Sequence, residues 1–143
     1  SVSEAHDFDM EMATFFRLMA ASDPEKAAFL EDERNTEFFK RVAACMLKKG
    51  WLRLDFLTVD DEAIAAYFNF DYENRLYIYN SGLMIERHGY LSPGIILLCN
   101  IIQDAIDKQY TTLDFLRGDE VYKYRMGGVD THVHGLQAQS ALS

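Results

Sequence analysis

Cysteine and proline are scarce, with two of each in 143 residues. Two cysteines are too few for a disulfide framework, and so little proline fits an ordered globular chain rather than a proline-rich one. Long apolar runs are missing as well. None approaches the roughly 20 residues that span a bilayer, so no membrane-spanning segment is expected. Positive charge is the fourth deficit: Lys and Arg total 14 against 23 Asp and Glu, a formal charge of −9. Such a chain repels a phosphate backbone unless its basic residues cluster. The densest basic groupings, Lys40-Arg41 and Lys48-Lys49, share one predicted helix, where the second pair suits the negative end of the helix dipole. DNA is therefore not an expected partner. The chain also opens without a charged n-region and apolar h-region, so the reducing cytoplasm is the expected compartment. Its first residues, "SVSEAHDF", are equally compatible with a segment of a longer protein.

Against these absences, 49% of the residues are hydrophobic and 13% aromatic. Length predicts one domain over 1–143, large enough to bury about two thirds of the surface its unfolded chain exposes. Cys45 in "VAACML" and Cys99 in "ILLCNI" are expected to sit inside helices as small buried hydrophobes.

Phe8, Met12, Phe15, Phe16 and Met19 recur at helical spacing and predict an amphipathic helix over 6–21. Asp23 is suited to cap a second short helix that has Pro24 at its first position. A third helix, over 35–49, aligns Phe38, Phe39, Val42 and Met46 and stops at Gly50. From Trp51 the period changes to two. Leu52, Leu54 and Phe56 line one strand and Ile64, Ala66, Phe68 and Phe70 the next. With "DDE" and "YEN" as turns and "RLYIYN" as the third strand, residues 51–80 form an antiparallel meander. "LSPG" then supplies Ser92 as cap and Pro93 as first residue of an apolar helix over 93–108. A strand "TTLDFL", a short helix "DEVYKY" and a last strand "DTHVHGLQ" follow. This order predicts an α/β class domain with an α+β mixed sheet. Its β-α-β crossover should join parallel strands, right-handed, with the helix start at a strand's carboxyl end.

Three signals crowd into residues 116–135. Asp130, His132 and His134 alternate as metal ligands on a strand would, and "VDTHVH" resembles the first-strand motif of barrel-type amidohydrolases. The remaining ligands of such a site have no source downstream, so no metal is expected. The Arg117-Gly118-Asp119 tripeptide is a short match without a secreted context. The stretch "DFLRGDEVYKYRMG" gathers Asp114, Arg117, Asp119, Glu120, Tyr122, Lys123, Tyr124 and Arg125 at a strand end and the following helix. It reads either as a solvated helix with an Asp119–Lys123 pair or as a substrate-facing cluster.

"LSPGIILL" and "TTLDFLRGDEVYKYRMG" resemble the end of the acetyltransferase-like domain of CelD-type cellulose-biosynthesis proteins, related to FemAB-type transferases, in the Gcn5-related N-acetyltransferase (GNAT) superfamily. The similarity spans residues 35–127 loosely. It implies a GNAT-like fold and acyl transfer from acyl-CoA or acetyl-CoA to an amine of a small molecule, sugar or envelope precursor. It also implies that Arg87, Ser92, Gly94 and Ile95 contact the donor, at a helix start whose free N–H groups favour an anion. Asp114 would take the amine proton, a backbone N–H near Asn80 to Gly82 would hold the oxyanion, and Tyr122 or Tyr124 would protonate the thiolate. Arg117, Asp119 and Lys123 would hold substrate. The alternative is a non-catalytic GNAT-like module that binds a partner or completes a two-domain FemAB-like protein; on either reading a second GNAT-like domain or a homodimer is a candidate partner.

Overall fold

Capping and apolar spacing divide the first 50 residues into three helices: α1 (Ala5–Ser22), α2 (Pro24–Glu31) and α3 (Glu33–Lys49). They are seen in a computed structural model that describes residues 5–85, 92–116 and 121–132. Asp23 starts α2 by accepting the Glu25 N–H at 2.7 Å, with Pro24 in the first turn. Asp32 repeats the device on α3 through the Arg34 N–H at 2.9 Å. Gly50 closes α3 in the left-handed conformation, φ 74°. The face of α3 is turned slightly from the expected one. Phe39 and Ala43 are its buried residues, Val42 and Met46 are half-buried, and Phe38 is exposed.

Three strands follow, β1 (Leu52–Val59), β2 (Glu62–Tyr72) and β3 (Arg75–Leu83). They pair antiparallel through two-residue turns at Asp60-Asp61 and Glu73-Asn74, all four residues at positive φ. A helix, α4 (Pro93–Asp107), carries the chain to β4 (Thr112–Asp114), which pairs parallel with β3. A short helix, α5 (Val121–Arg125), comes next. The sheet order is β1-β2-β3-β4, a mixed four-stranded sheet, as expected for the class. No helix among the described residues is long and apolar enough to cross a membrane.

The sheet has a helical layer on each side. Leu54, Ala66 and Phe68 meet Met12, Phe15, Leu18 and Met19 of α1 and Phe39 of α3. Ala65, Tyr67, Leu76 and Ile78 meet Leu97, Leu98 and Ile101 of α4. With both faces covered, the middle of β2 is buried at six consecutive positions, Ile64 to Asn69. The second face turns polar at one end. Arg53 holds Asp55 (2.8 Å) and Asp104 of α4 (2.8 Å), and Asn69 donates to Asp55 at 3.3 Å. The Tyr110 hydroxyl donates to the Asp71 carboxylate, tying the end of the crossover to β2.

Four expectations are corrected. Cys45 and Cys99 are exposed, because α3 turns Ala43 inward and α4 turns Leu97, Leu98 and Ile101 inward, leaving each cysteine on the outer side. The Ser92 side chain makes no cap hydrogen bond, since the residue is in the left-handed region, φ 48°. The strand predicted from "TTLDFL" ends at Asp114, whose carboxylate takes the Leu116 N–H at 2.7 Å while Leu116 turns to φ 59°. Residues 130–132 are not strand. After Gly127 (φ 88°) the Gly128 N–H returns to the Lys123 carbonyl at 2.9 Å, and Asp130 accepts from Tyr124 at 2.6 Å. The rest of "DTHVHGLQ", His134 included, lies outside the described residues.

Two predictions arise from this packing. A Cβ at Gly82 would sit 2.3 Å from the Met19 nitrogen and 2.4 Å from the Leu18 carbonyl carbon, both backbone atoms of α1. Gly82→Ala should therefore lower the unfolding free energy by about 2 kcal/mol or more, read as a lower urea midpoint at unchanged slope. Burial, and next the Asp71 carboxylate, push the Tyr110 phenol up to about 12. Its unfolded value is about 10. Its contribution to stability is then complete below the unfolded value and lost as pH rises through the folded one. Tyr110→Phe should remove this alkaline loss, read from denaturation curves between about pH 9 and 12.

Candidate functional site

The parallel ladder between β3 and β4 is short. Arg75, Leu76 and Tyr77 pair with Thr112, Leu113 and Asp114, and pairing stops there. Beyond Tyr77 the outer edge of β3 has no partner strand among the described residues. The register also slips at this point. Asn69 faces Ile78 and Phe68 faces Asn80, so Tyr79 is an extra residue in β3. The slip puts Tyr79 among the rings of Phe39, Phe68 and Phe70 (centroids 5.4–5.9 Å).

After the bulge the backbone polarity can be assigned. Met84 donates to the Ile64 carbonyl at 2.9 Å. By antiparallel alternation, Gly82 and Asn80 turn their backbone groups toward β2, whereas Ser81 and Leu83 turn theirs outward. The outward Ser81 N–H donates to the Asn80 side-chain oxygen at 2.8 Å, and the Ser81 carbonyl accepts from Lys26 Nζ at 2.8 Å.

Beside this edge lies a largely apolar cleft of about 320 Å³. The end of β3 supplies Ser81 and Leu83, the start of α4 supplies Ser92, Pro93, Gly94 and Ile95, and Tyr67, Ile85 and Tyr122 complete it. The first turn of α4 approaches closely because Gly94 has no Cβ; one would lie 2.8 Å from Leu83 Cδ2. Pro93 has no N–H, and the Ser92 carbonyl accepts from both Ile95 and Ile96 at 3.1 Å. Among the described residues the Gly94 N–H is thus the first-turn amide without a partner, at the positive end of a 15-residue helix.

Tyr67 is 6% exposed and its hydroxyl reaches the Gly94 carbonyl only at 3.5 Å. Burial above all, then the neighbouring Tyr122 and Cys99, raises its pKa far beyond the ordinary phenol range. It stays protonated at any physiological pH.

A second cleft, of about 410 Å³, is lined by Asp114, Phe115, Leu116, Lys123, Tyr124 and Asp130, among others. Lys123 is 7% exposed there. Asp114 Oδ1 holds the Leu116 N–H, and Tyr124 donates to Asp130. Phe115 meets the Tyr122 ring edge-on at 6.2 Å, so Tyr122 stands between the clefts.

The sequence-predicted residues are thus sorted rather than assembled. Ser92, Gly94, Ile95 and Tyr122 share the apolar cleft, while Asp114, Lys123 and Tyr124 share the other. Arg87, Arg117 and Asp119 lie outside the described residues. Among the described residues no group of three His, Cys, Asp or Glu side chains is placed to hold a metal, and His132 is exposed. Sequence reasoning missed Tyr67, whose signal was the odd-numbered alternation Ala65, Tyr67, Asn69 on β2. It also missed Lys26, which no local pattern marks. Tyr67→Phe, losing one marginal hydrogen bond, should change stability by under about 1 kcal/mol in urea denaturation.

The sequence profile of the family described as "Acetyltransferase (GNAT) domain" matches residues 2–124. No curated protein matches the chain.

Proposed function

The chain belongs to the GNAT acetyltransferase family, and from that membership we propose that it moves an acyl group from acyl-CoA to an amine of a small molecule, sugar or envelope precursor. GNAT domains generally use acetyl-CoA. The observation that carries this reading is the parting of β3 from β4 after the Tyr77–Asp114 pair, beside an apolar cleft that ends at a helix N-terminus. The cleft suits the slender arm and acyl end of a thioester, and the α4 start suits its phosphates. Gly94 and Ile95 would contact the donor. The similarity of "LSPGIILL" and "DFLRGDEVYKY" to CelD-type and FemAB-like domains favours a donor-to-amine transfer.

In the reaction the amine nitrogen bonds to the thioester carbon, the C–S bond breaks, and the sulfur leaves as a thiolate. The carbonyl oxygen gains charge on the way and needs a fixed donor. The Ser81 N–H is the outward amide after the bulge and fills that role once Asn80 yields it. Tyr122, which shares a cleft with the α4 start, protonates the thiolate in preference to Tyr124, which is committed to Asp130. Asp114 stands where the strands part and takes the amine proton through water, on the oxygen not used by Leu116.

Acetyl-CoA should raise the thermal midpoint by an amount that keeps growing with the logarithm of its concentration, as a ligand of the folded state does. With an amine that supports turnover, Tyr122→Phe should lower kcat by about a hundredfold and Tyr124→Phe far less. A chain stabilised by neither CoA, longer acyl-CoAs nor aminoacyl-tRNA would instead be a non-catalytic module.

A further inference from the structure

Lys26 makes a contact that the helix carrying it does not require. From α2 it reaches 55 residues along the chain to the Ser81 carbonyl, at 2.8 Å. That carbonyl lies on the outer edge of β3, beyond the last residue paired with β4. In a continued ladder a strand amide would satisfy it. Here an ammonium does, and on the same peptide-bearing residue the N–H is covered by Asn80 at 2.8 Å. The register places Asn80 opposite Phe68, on the sheet face packed by α1 and α3, while Ser81 and Leu83 line the cleft on the α4 face. The two faces meet at Ser81. Side chains from one hold the backbone that borders the ligand cleft of the other.

We propose that Lys26 is a positioning residue for acyl transfer: with Asn80 it fixes the backbone at Ser81 so that the Ser81 N–H faces the gap where the thioester carbonyl is polarised. This rests on the acyl-CoA reading of the cleft. The Asn80 oxygen occupies the place of the thioester oxygen and is exchanged for it when donor binds, one acceptor for another. Lys26 remains on the carbonyl of the same residue throughout, so the strand does not rotate when Asn80 leaves. Its charge also lies close enough to the gap to favour the developing oxyanion. The ammonium is partly withdrawn from water, which, despite Asp23 nearby, lowers its pKa below the ordinary lysine value. An unattended carbonyl would need no such desolvated cation; water would serve.

The test uses acetyl-CoA labelled with carbon-13 at the thioester carbonyl, with affinity, carbonyl resonance and acetyl-CoA turnover measured on the same samples. In the wild type the bound carbonyl resonance should move downfield of free acetyl-CoA. Lys26→Met should bind acetyl-CoA within about threefold of wild type, lose most of that downfield shift, and turn over about ten- to a hundredfold more slowly. Lys26→Arg should restore both. If Lys26→Met does not fold, Lys26→Ala, which also removes both donor and charge, carries the same comparison with Lys26→Arg. Unchanged shift and turnover in a folded Lys26→Met or Lys26→Ala protein would overturn the role of Lys26 and leave the acyl-CoA reading standing. A wild-type protein that binds no acetyl-CoA would overturn both.

Discussion

A backbone amide and carbonyl at a strand edge need partners, and beyond Tyr77 the outer edge of β3 has no paired strand among the described residues. Much of the local architecture answers that requirement. One extra residue at Tyr79 reverses which backbone groups face outward, and Ser81 then presents both of its polar groups to the gap. A side chain on β3 itself takes one and a lysine from α2 takes the other. The gap is consequently held open by specific bonds rather than by the mere absence of a strand.

Packing on either side keeps this edge from closing. Gly82 lets the α1 backbone lie directly on β3, so the bulged strand cannot slide back into register without moving the helix that carries Met12, Phe15 and Met19 of the core. Gly94 does the same for the first turn of α4 against Leu83, although there the neighbour is a flexible side-chain end and has room to give. At the far end of the sheet, Arg53 with Asp104 and Tyr110 with Asp71 fasten α4 and the start of β4. The crossover is therefore anchored at the end where the ladder exists, and β3 and β4 part beyond it.

How much of this was legible depended on whether the signal was periodic. The α1 stripe, the change to period two at Trp51, the two-residue acidic turns and the "SPG" helix start all act locally, and each appears close to its expected place. Cys45 and Cys99 were misjudged because an apolar helical stretch does not say which of its residues face outward; that depends on where the sheet lies. Closeness in sequence does not say which cleft a residue lines: Asp114, which holds the Leu116 N–H, and Tyr124, which donates to Asp130, line the second cleft, and Tyr122 lines the apolar one. Lys26 and Ser81 are joined only by tertiary structure. The even residues of β2 were read as a core stripe, correctly, but a central strand has two buried faces, and Tyr67 lies on the other.

That second face also bears on the proposed proton transfer. A phenol useful as an acid must hold its proton until a thiolate appears, and burial favours the neutral form because the phenolate is poorly solvated there. Tyr67 and Tyr122 lie in the same apolar cleft, and Tyr122 is among the influences that raise Tyr67 further. Tyr67 therefore keeps its proton, which leaves the proposed transfer to the thiolate to Tyr122.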